Sequence, residues 1–521
     1  MPSRRRIYSD LAWLIGLTLI VRLLTALPLQ RPGYMDAAYY VDGALSLYEG
    51  RGFTEPFIWN YLDDPQGIPH PSHLYWMPLS SVLAYLSFLV FGPTFRAAQV
   101  PFAALSSLLP AVAYLVAFDL SGDRRRAWHA GLLATFSGFY TIYWVVPDSF
   151  APFAVAGALC LWAVGRGMRS GRGHWFAIAG LSAGAAHLSR ADGLLLPGVV
   201  FLLGAVQLLR RTSQRRRLIT QLLVFAACYL GVMAPWFARN VAVSGRPLPT
   251  AGTKAIWLTG YDDLFSYGKA LTPQTYLSWG WGNVLRSKLD GLWKNLGQVA
   301  FAGWMIYLAP FGLLGAWRLR RRVELRAAWL YLIALYLAMS LAFTFPGTRG
   351  GMFHSMGALL PTLYAAALEG LDVAIGWAAR RRTHWRVGEA QRVFRGAALG
   401  FAVLLSSVLY LQRLDGFTGT HPYQAVGRWL DEHAPRTARV MVNDPPTFYY
   451  HTRLGCVVIP NEDLETVLAV MRRYDAHYLV LDQHNPSLSG LYEAPASDAR
   501  LTLEQAFLQG EQTMYLFRLR E

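Results

Sequence analysis

The sequence predicts an α-helical polytopic membrane protein that carries a small α/β domain at its C-terminal end. Three observations lead there. Apolar blocks of about 20 residues, enough to cross a bilayer core of about 30 Å, recur as far as residue 412. Hydrophobic residues make up 54% of the 521 and charged residues only 15%, whereas a soluble domain carries about a quarter charged. Beyond residue 413 the long blocks stop, and short apolar runs bounded by polar residues replace them, the pattern of strands.

Eleven blocks qualify as spans: 10–29, 97–118, 127–146, 149–167, 175–190, 193–209, 218–237, 297–317, 327–345, 352–376 and 393–412. The first follows Arg4, Arg5 and Arg6; it is long, and Leu27-Pro28-Leu29-Gln30 makes a poor cleavage site, so it reads as a span and not a signal peptide. Further basic clusters lie at Arg124–Arg126, Arg210–Arg217, Arg318–Arg326 and Arg380–Arg395. Lys and Arg gathered between spans follow the positive-inside rule. They place the N-terminus in the cytoplasm and give the net charge of +16 a membrane explanation, with no nucleic acid as partner. Residues 78–92 are apolar but reach only about 22 Å as a helix. A crossing there would flip every later basic cluster, so they read as a helix in the outer interface. Two long loops, 30–96 and 238–296, and everything after 413 then lie outside the cytoplasm. The domains are 1–413, in the membrane, and 414–521, extracytoplasmic.

In the tail, "RTARVMVND" and "AHYLVLDQ" read as strands, "NEDLETVLAVMRRY" as a helix capped by Asn461 or Asp463, and "TMYLFRL" as an edge strand. No glycine-rich phosphate loop is present, and the three cysteines form no CxxC pair or metal spacing, which excludes a disulfide framework or zinc site.

The loops and turns on the outer side hold the candidate chemistry. Asp36 stands seven residues past the first span, in "GYMDAAYYVDGALSLYEG" with Tyr39, Tyr40 and Asp42. An acid at the bilayer edge faces a cavity or a partner and can serve as a general base; it equally suits the N-cap of the helix that follows, with Gly50 as its C-cap. His70 and His73, in "HPSHLYW", are spaced to ligate a divalent ion with a nearby acid such as Asp36, or to hydrogen-bond within a proline-bent loop. Asp148 sits in a tight turn where it can cap the next helix. Arg190 and Asp192, in "HLSRADG", occupy another such turn. Arginine is scarce on that side, and its planar fork of donors matches phosphate; the alternative is a structural pair with Asp192 or Asp148. Arg239, Lys254, Arg349 and His354 complete the set of outer cations, which together suit an anionic headgroup.

This layout resembles the GT-C glycosyltransferases, closest to the branch with protein O-mannosyltransferases and the aminoarabinose transferases of lipid A. The likeness is carried by "GYMDAAYYVDGALSLYEGRG", "HPSHLYWMPLSSVLAYLSFLVFG", "GLSAGAAHLSRADGLLL", "APWFARNVAVSGRPLPT" and "RGGMFHSMGALLPTLYAAALEGL", in that order. The resemblance implies a sugar donor on a polyprenyl phosphate and an acceptor hydroxyl on a protein, glycolipid or glycan. It implies Asp36 as general base, and outer cations, first Arg190 and Arg239, then Lys254 and His354, on the donor phosphate. The family's paired acid is absent, since Ala37 follows Asp36. Relatives differ in their use of a divalent ion, so no cofactor is fixed and a metal remains open. The implied place is the cell's plasma membrane. The rival readings are a lipid-linked-sugar transporter or flippase, for which charges within spans and matching halves are the expected signs, and a non-catalytic membrane scaffold.

Overall fold

The computed structural model describes residues 4–210, 215–382, 384–483, 485–509 and 512–520. Among them, eight helices are long and apolar enough to cross a membrane: Arg5–Ala26, Phe95–Ser121, Phe150–Ser170, Ala191–Arg210, Arg215–Ser244, Val323–Ala342, Thr344–Ala379 and Val387–Phe417. Each falls on one of the expected spans. Phe150–Ser170 and Thr344–Ala379 form the centre, with 83% of their apolar windows buried, whereas the first and last helices bury 22% and 17%. The outer helices present bare apolar side chains such as Trp13, Ile20 and Leu24, a surface made for lipid tails. Leu79–Phe91 has 13 residues and is too short to cross, as expected.

The other three expected spans are short or broken. His174–Ser189 has 16 residues, about 24 Å of helix. The helix begun at Arg124 ends at Thr135, where the Arg22 guanidinium arrives: Nη1 donates to the Thr135 carbonyl at 3.0 Å. Arg22 is fully buried inside the first helix, a charge within a span that the sequence reading left out. A helix C-terminus carries partial negative charge and holds a cation, which makes this arginine tolerable at membrane depth. Short turns, Gly138–Tyr140 and Tyr143–Val145, carry the chain on. Helix Trp281–Gln298 runs into a π turn over Val299–Gly303, and a new helix, Ala309–Leu319, begins with Pro310 in its first turn, where a missing N–H is harmless. This helix lies tight on Leu360–Ala379. A Cβ on Gly315 would come within 1.7 Å of the Ala366 carbonyl oxygen, so glycine is what lets the two backbones approach.

The C-terminal unit is built on a six-stranded sheet. Its order is Phe57–Ile58, Cys456–Val458, Val440–Val442, Tyr478–Leu481, Gln512–Leu519, Leu501–Gln509. The first four strands are parallel and the last two antiparallel. Both expected strands and the helix are present, the helix as Leu464–Arg473, with the Asp463 carboxylate accepting from Thr466 N at 3.0 Å. The segment "TMYLFRL" is not an edge, because Leu501–Gln509 covers it. That outer strand escapes a periodicity search because a bulge between Leu503 and Gln505 breaks its alternation. The Phe57–Ile58 strand comes from the loop 30–96 and pairs with Cys456–Val458. The C-terminal unit therefore reaches beyond residues 414–521.

At the far end of the bundle Asp372 accepts from Arg395 Nε at 2.7 Å and pairs with Arg126 Nη2 at 2.6 Å. Removing one partner of a buried ion pair costs about 3–5 kcal/mol. Asp372→Ala is expected to lower the melting temperature in detergent clearly. Arg386→Ala, which opens an exposed pair with Glu389, is expected to leave it unchanged. Thermal melts followed by size-exclusion chromatography check both.

Candidate functional site

Between bundle and sheet lies a cavity of about 1370 Å³. Its wall takes in the start of helix Met35–Tyr48, the turn after His174–Ser189, the 338–354 segment, residues 412–417 and the C-terminal ends of three sheet strands. Asp36 lines it, half-buried, in the first turn of its helix. The N-cap is Tyr34, with no side-chain cap bond, so Asp36 is not spent on capping.

One ligand atom from each of Asp36, Asp148 and His354 lies within 4.8 Å of the others. The fully buried Asp148 accepts from the Tyr34 hydroxyl at 2.7 Å and from the Ser149 backbone N–H. Ser149 Oγ meets His354 Nδ1 at 3.0 Å, and the His354 ring stacks on Phe150 at 3.6 Å. Arg190 closes the cluster: Nε donates to Asp192 Oδ1 and Ser355 Oγ, both at 3.0 Å, and Nη1 to Ser149 Oγ at 3.3 Å. Burial raises the proton affinity of Asp36; the Asp148 charge raises it further, and the Arg190 guanidinium pulls it back. Burial also raises Asp148, against the hydrogen bonds from Tyr34 and Ser149. Two carboxylates facing one arginine in a desolvated pocket favour uptake of a proton or a cation. Two carboxylates and an imidazole also form a donor set for a hard or borderline divalent ion, so these residues fit a metal.

Three guanidiniums line the cavity, those of Arg190, Arg349 and Arg413. Arg349 lies 5.0 Å from the Tyr261 ring centre. Arg413 Nη1 donates to the Tyr143 hydroxyl at 2.7 Å. Among the described residues neither makes an ion pair with a carboxylate. Arg413 was missed in the sequence, although it carries the same sign as Arg190, a basic residue at the sparsely charged end of a span. Tyr40 and Asp192 also line the cavity.

Other expected site residues lie elsewhere. Arg239 Nη2 donates to the Ser72 carbonyl at 2.7 Å and the Phe53 carbonyl at 3.3 Å, so it clamps the first loop instead of facing the cavity. Lys254 Nζ donates to the Leu62 carbonyl at 2.5 Å and is likewise absent from the wall. Asp42 is buried and pairs with Arg453 at 3.4 Å. The Tyr39 hydroxyl accepts from the His73 backbone N–H at 2.6 Å. His73 is buried between Ser72 and Ser81 at 2.7 and 3.0 Å; burial, helped by Arg239, lowers its imidazole to about 3 and keeps it neutral. Burial opposes a charge on His70 too, but Asp63 and Glu55, at 3.0 and 3.2 Å, outweigh it and push the ring up to about 9. Both histidines pin the first loop. The side chains that stand within ligand distance of Asp36 are instead Asp148 and His354.

This architecture matches known proteins. Archaeal oligosaccharyltransferase AglB from Archaeoglobus fulgidus, in complex with an inhibitory peptide and a dolichol-phosphate, superposes with a TM-score of 0.59 at 13% identity, over 90% of this chain and 69% of that one. ArnT from Cupriavidus metallidurans superposes over 97% of both chains, with a TM-score of 0.57 and 14% identity. The chain has the GT-C fold. Residues 70–236 of this GT-C chain match the family profile described as dolichyl-phosphate-mannose-protein mannosyltransferase. ArnT bound to undecaprenyl phosphate matches as well, with a TM-score of 0.56 and 14% identity over 97% of both chains. No curated protein sequence matches it. With its multiple membrane-length helices, it is an integral membrane protein.

A carboxyl whose proton affinity rises on folding costs stability once the pH exceeds the unfolded value of about 3.9. The native state then holds more protons than the unfolded one, so stability falls as pH rises. Asp36→Asn removes that term. The variant is expected to melt at or above the wild type at pH 8, and the gap should shrink toward pH 4 as both states protonate. Melting curves across that range measure it.

Proposed function

We propose that this chain moves a sugar from a polyprenyl-phosphate carrier to an acceptor hydroxyl by a single inverting displacement, on the extracytoplasmic side of the plasma membrane. The carrying observation is that Asp36 shares one cavity with the guanidiniums of Arg190, Arg349 and Arg413. A base and a phosphate cradle are the two things such a reaction requires. The likeness to ArnT bound to undecaprenyl phosphate and to AglB bound to a dolichol-phosphate supports a lipid-phosphate donor. Apolar wall residues such as Leu194, Leu248 and Phe343 suit the start of a polyprenyl tail. A transporter is less well served, because the titratable groups converge on one closed cluster instead of lining two related halves.

In this reading the acceptor hydroxyl lies against Asp36, which takes its proton as the oxygen attacks the anomeric carbon. The bond to the phosphate oxygen breaks, and the charge left on the carrier phosphate falls among the guanidiniums. Preorganised cations in a desolvated cavity are worth more than the same cations in water. Phosphate leaves without protonation, so one carboxylate suffices where glycoside hydrolysis uses two. Asp148 and His354 hold the geometry around Asp36, with Tyr34 and Ser149 fixing Asp148. A divalent ion bound by Asp36, Asp148 and His354 would add charge neutralisation at the phosphate. The chain divides near residue 413 into a catalytic membrane part and an extracytoplasmic part, with the N-terminus cytoplasmic.

The deciding experiment incubates purified protein in nanodiscs with polyprenyl-phosphate sugars and follows release of polyprenyl phosphate. Asp36→Asn is expected to bind the carrier phosphate but lose about 10²–10⁴ in rate. Full activity of that variant sinks the base assignment. Arg413→Ala and Arg349→Ala are expected to raise KM for the donor several-fold. The raised proton affinity of Asp36 predicts kcat/KM climbing with pH above the ordinary carboxylate range, a limb that Asp36→Glu should shift and Arg386→Ala should not.

A further inference from the structure

The C-terminal sheet turns a particular edge toward the cavity. Three parallel strands, Val440–Val442, Cys456–Val458 and Tyr478–Leu481, end there. The chain leaves Val440–Val442 for a neighbour on one side, Cys456–Val458, and then crosses to Tyr478–Leu481 on the other. That is a topological switch point, and open parallel sheets bind ligands in the crevice beyond their carboxyl ends at such a point. Here Asn443 and Asp444 follow the first of these strands directly, Asn461 stands in the loop after the second and Asn485 in the loop after the third, and all four line the cavity.

One of them keeps an unpaired side-chain atom. Asn485 is 7% exposed, and its Oδ1 has no hydrogen-bond partner among the described residues. A buried unpaired amide oxygen costs about 1–3 kcal/mol, so this side chain is not there for stability. Asn443 Nδ2 donates to Asp482 Oδ1 at 2.5 Å, which fixes its amide. Asp444 accepts from Thr447 N at 3.0 Å as the N-cap of helix Pro445–Thr452. The same wall carries Trp76, half-buried, backed by the buried Trp59 with ring centres 4.1 Å apart and planes 9° apart. Amides and a carboxylate beside an aromatic face recognise a ring that has hydroxyls on its rim and C–H bonds on its faces.

We infer that Asn443, Asp444, Asn461 and Asn485, with the Trp59–Trp76 pair, form a subsite for a polyhydroxylated sugar ring. This rests on the proposed transferase reading and assigns its parts: the helical bundle holds the phosphate and the base, and the sheet edge reads the sugar. Asp444 and Asp36 line the same cavity, so the subsite opens onto the reacting centre. The ring is that of the donor sugar or that of an acceptor glycan, and the test separates the two.

The test measures binding to the full chain in nanodiscs. The first arm compares undecaprenyl phosphate with undecaprenyl-phosphate mannose and undecaprenyl-phosphate arabinose. The second titrates a mannose tetrasaccharide onto protein already loaded with undecaprenyl phosphate. For a donor subsite, a sugar-bearing carrier binds the wild type about tenfold tighter than the bare carrier, the worth of about one or two hydrogen bonds. Asn485→Ala and Asp444→Asn remove that preference, and Asn485→Ala, which changes no charge, leaves bare-carrier affinity alone. For an acceptor subsite, the same variants weaken only the tetrasaccharide. Unchanged affinities in both arms overturn the inference. Failure of the wild type to bind undecaprenyl phosphate strikes the carrier reading, while tetrasaccharide binding to the unloaded protein still reports on the subsite. Folding is controlled within the design: Asn485→Ala removes an unpaired group and should melt no lower than the wild type, so lost sugar binding with an unchanged melt cannot come from unfolding.

Discussion

The structure depends on the cost of keeping charge out of water at a membrane boundary. Asp36 and Asp148 stand within one small cluster, and neither would stay there unassisted. Tyr34, the Ser149 amide and Arg190 share the load. With His354 these residues come from four separate stretches of chain, so the cluster assembles only when the first loop, two tight turns and the Thr344–Ala379 helix have come together. The same rule recurs at other depths. Arg22 is held by the carbonyls that end a helix, and Asp372 by two arginines. Arg22, Asp42, Asp148 and Asp372 each have a partner drawn from another element, and those pairings tie the elements together.

The cations divide by a similar logic. A guanidinium that already satisfies backbone carbonyls, as Arg239 does, is structural whichever side of the membrane it faces. One that meets only a ring or a hydroxyl, as Arg349 and Arg413 do, retains donors for an anion. Sequence position sorts arginines by the side of the membrane expected for them but does not separate engaged from available ones. That distinction needs the fold of the first loop, whose carbonyls Arg239 takes.

Much of the architecture was nevertheless legible. Block length and the basic clusters located the eight long helices, and the brevity of Leu79–Phe91 kept it out of the count. Asp36, Arg190 and His354 were marked by their position at span ends, and they do lie in or beside one cavity. Of the two readings open for His70 and His73, the structure carries the hydrogen-bonded loop, since each ring is satisfied locally, by carboxylates or by serines. The broken spans were invisible because apolar composition does not reveal where an arginine or a proline ends a helix. Asp444 and its neighbours were hidden at the end of what read as a strand. Their meaning comes from strand order, a property of the sheet and not of any local segment.

The Phe57–Ile58 strand ties the two halves of the molecule into a single mechanical piece. It belongs to the loop that begins with the helix bearing Asp36, yet its backbone partner is Cys456–Val458. A cut at residue 413 would strand that ribbon and bare a sheet edge on the severed tail. Neither fragment is a finished building block. A rigid displacement of the tail would tug on the acid's own loop, so cavity shape and tail position should vary together.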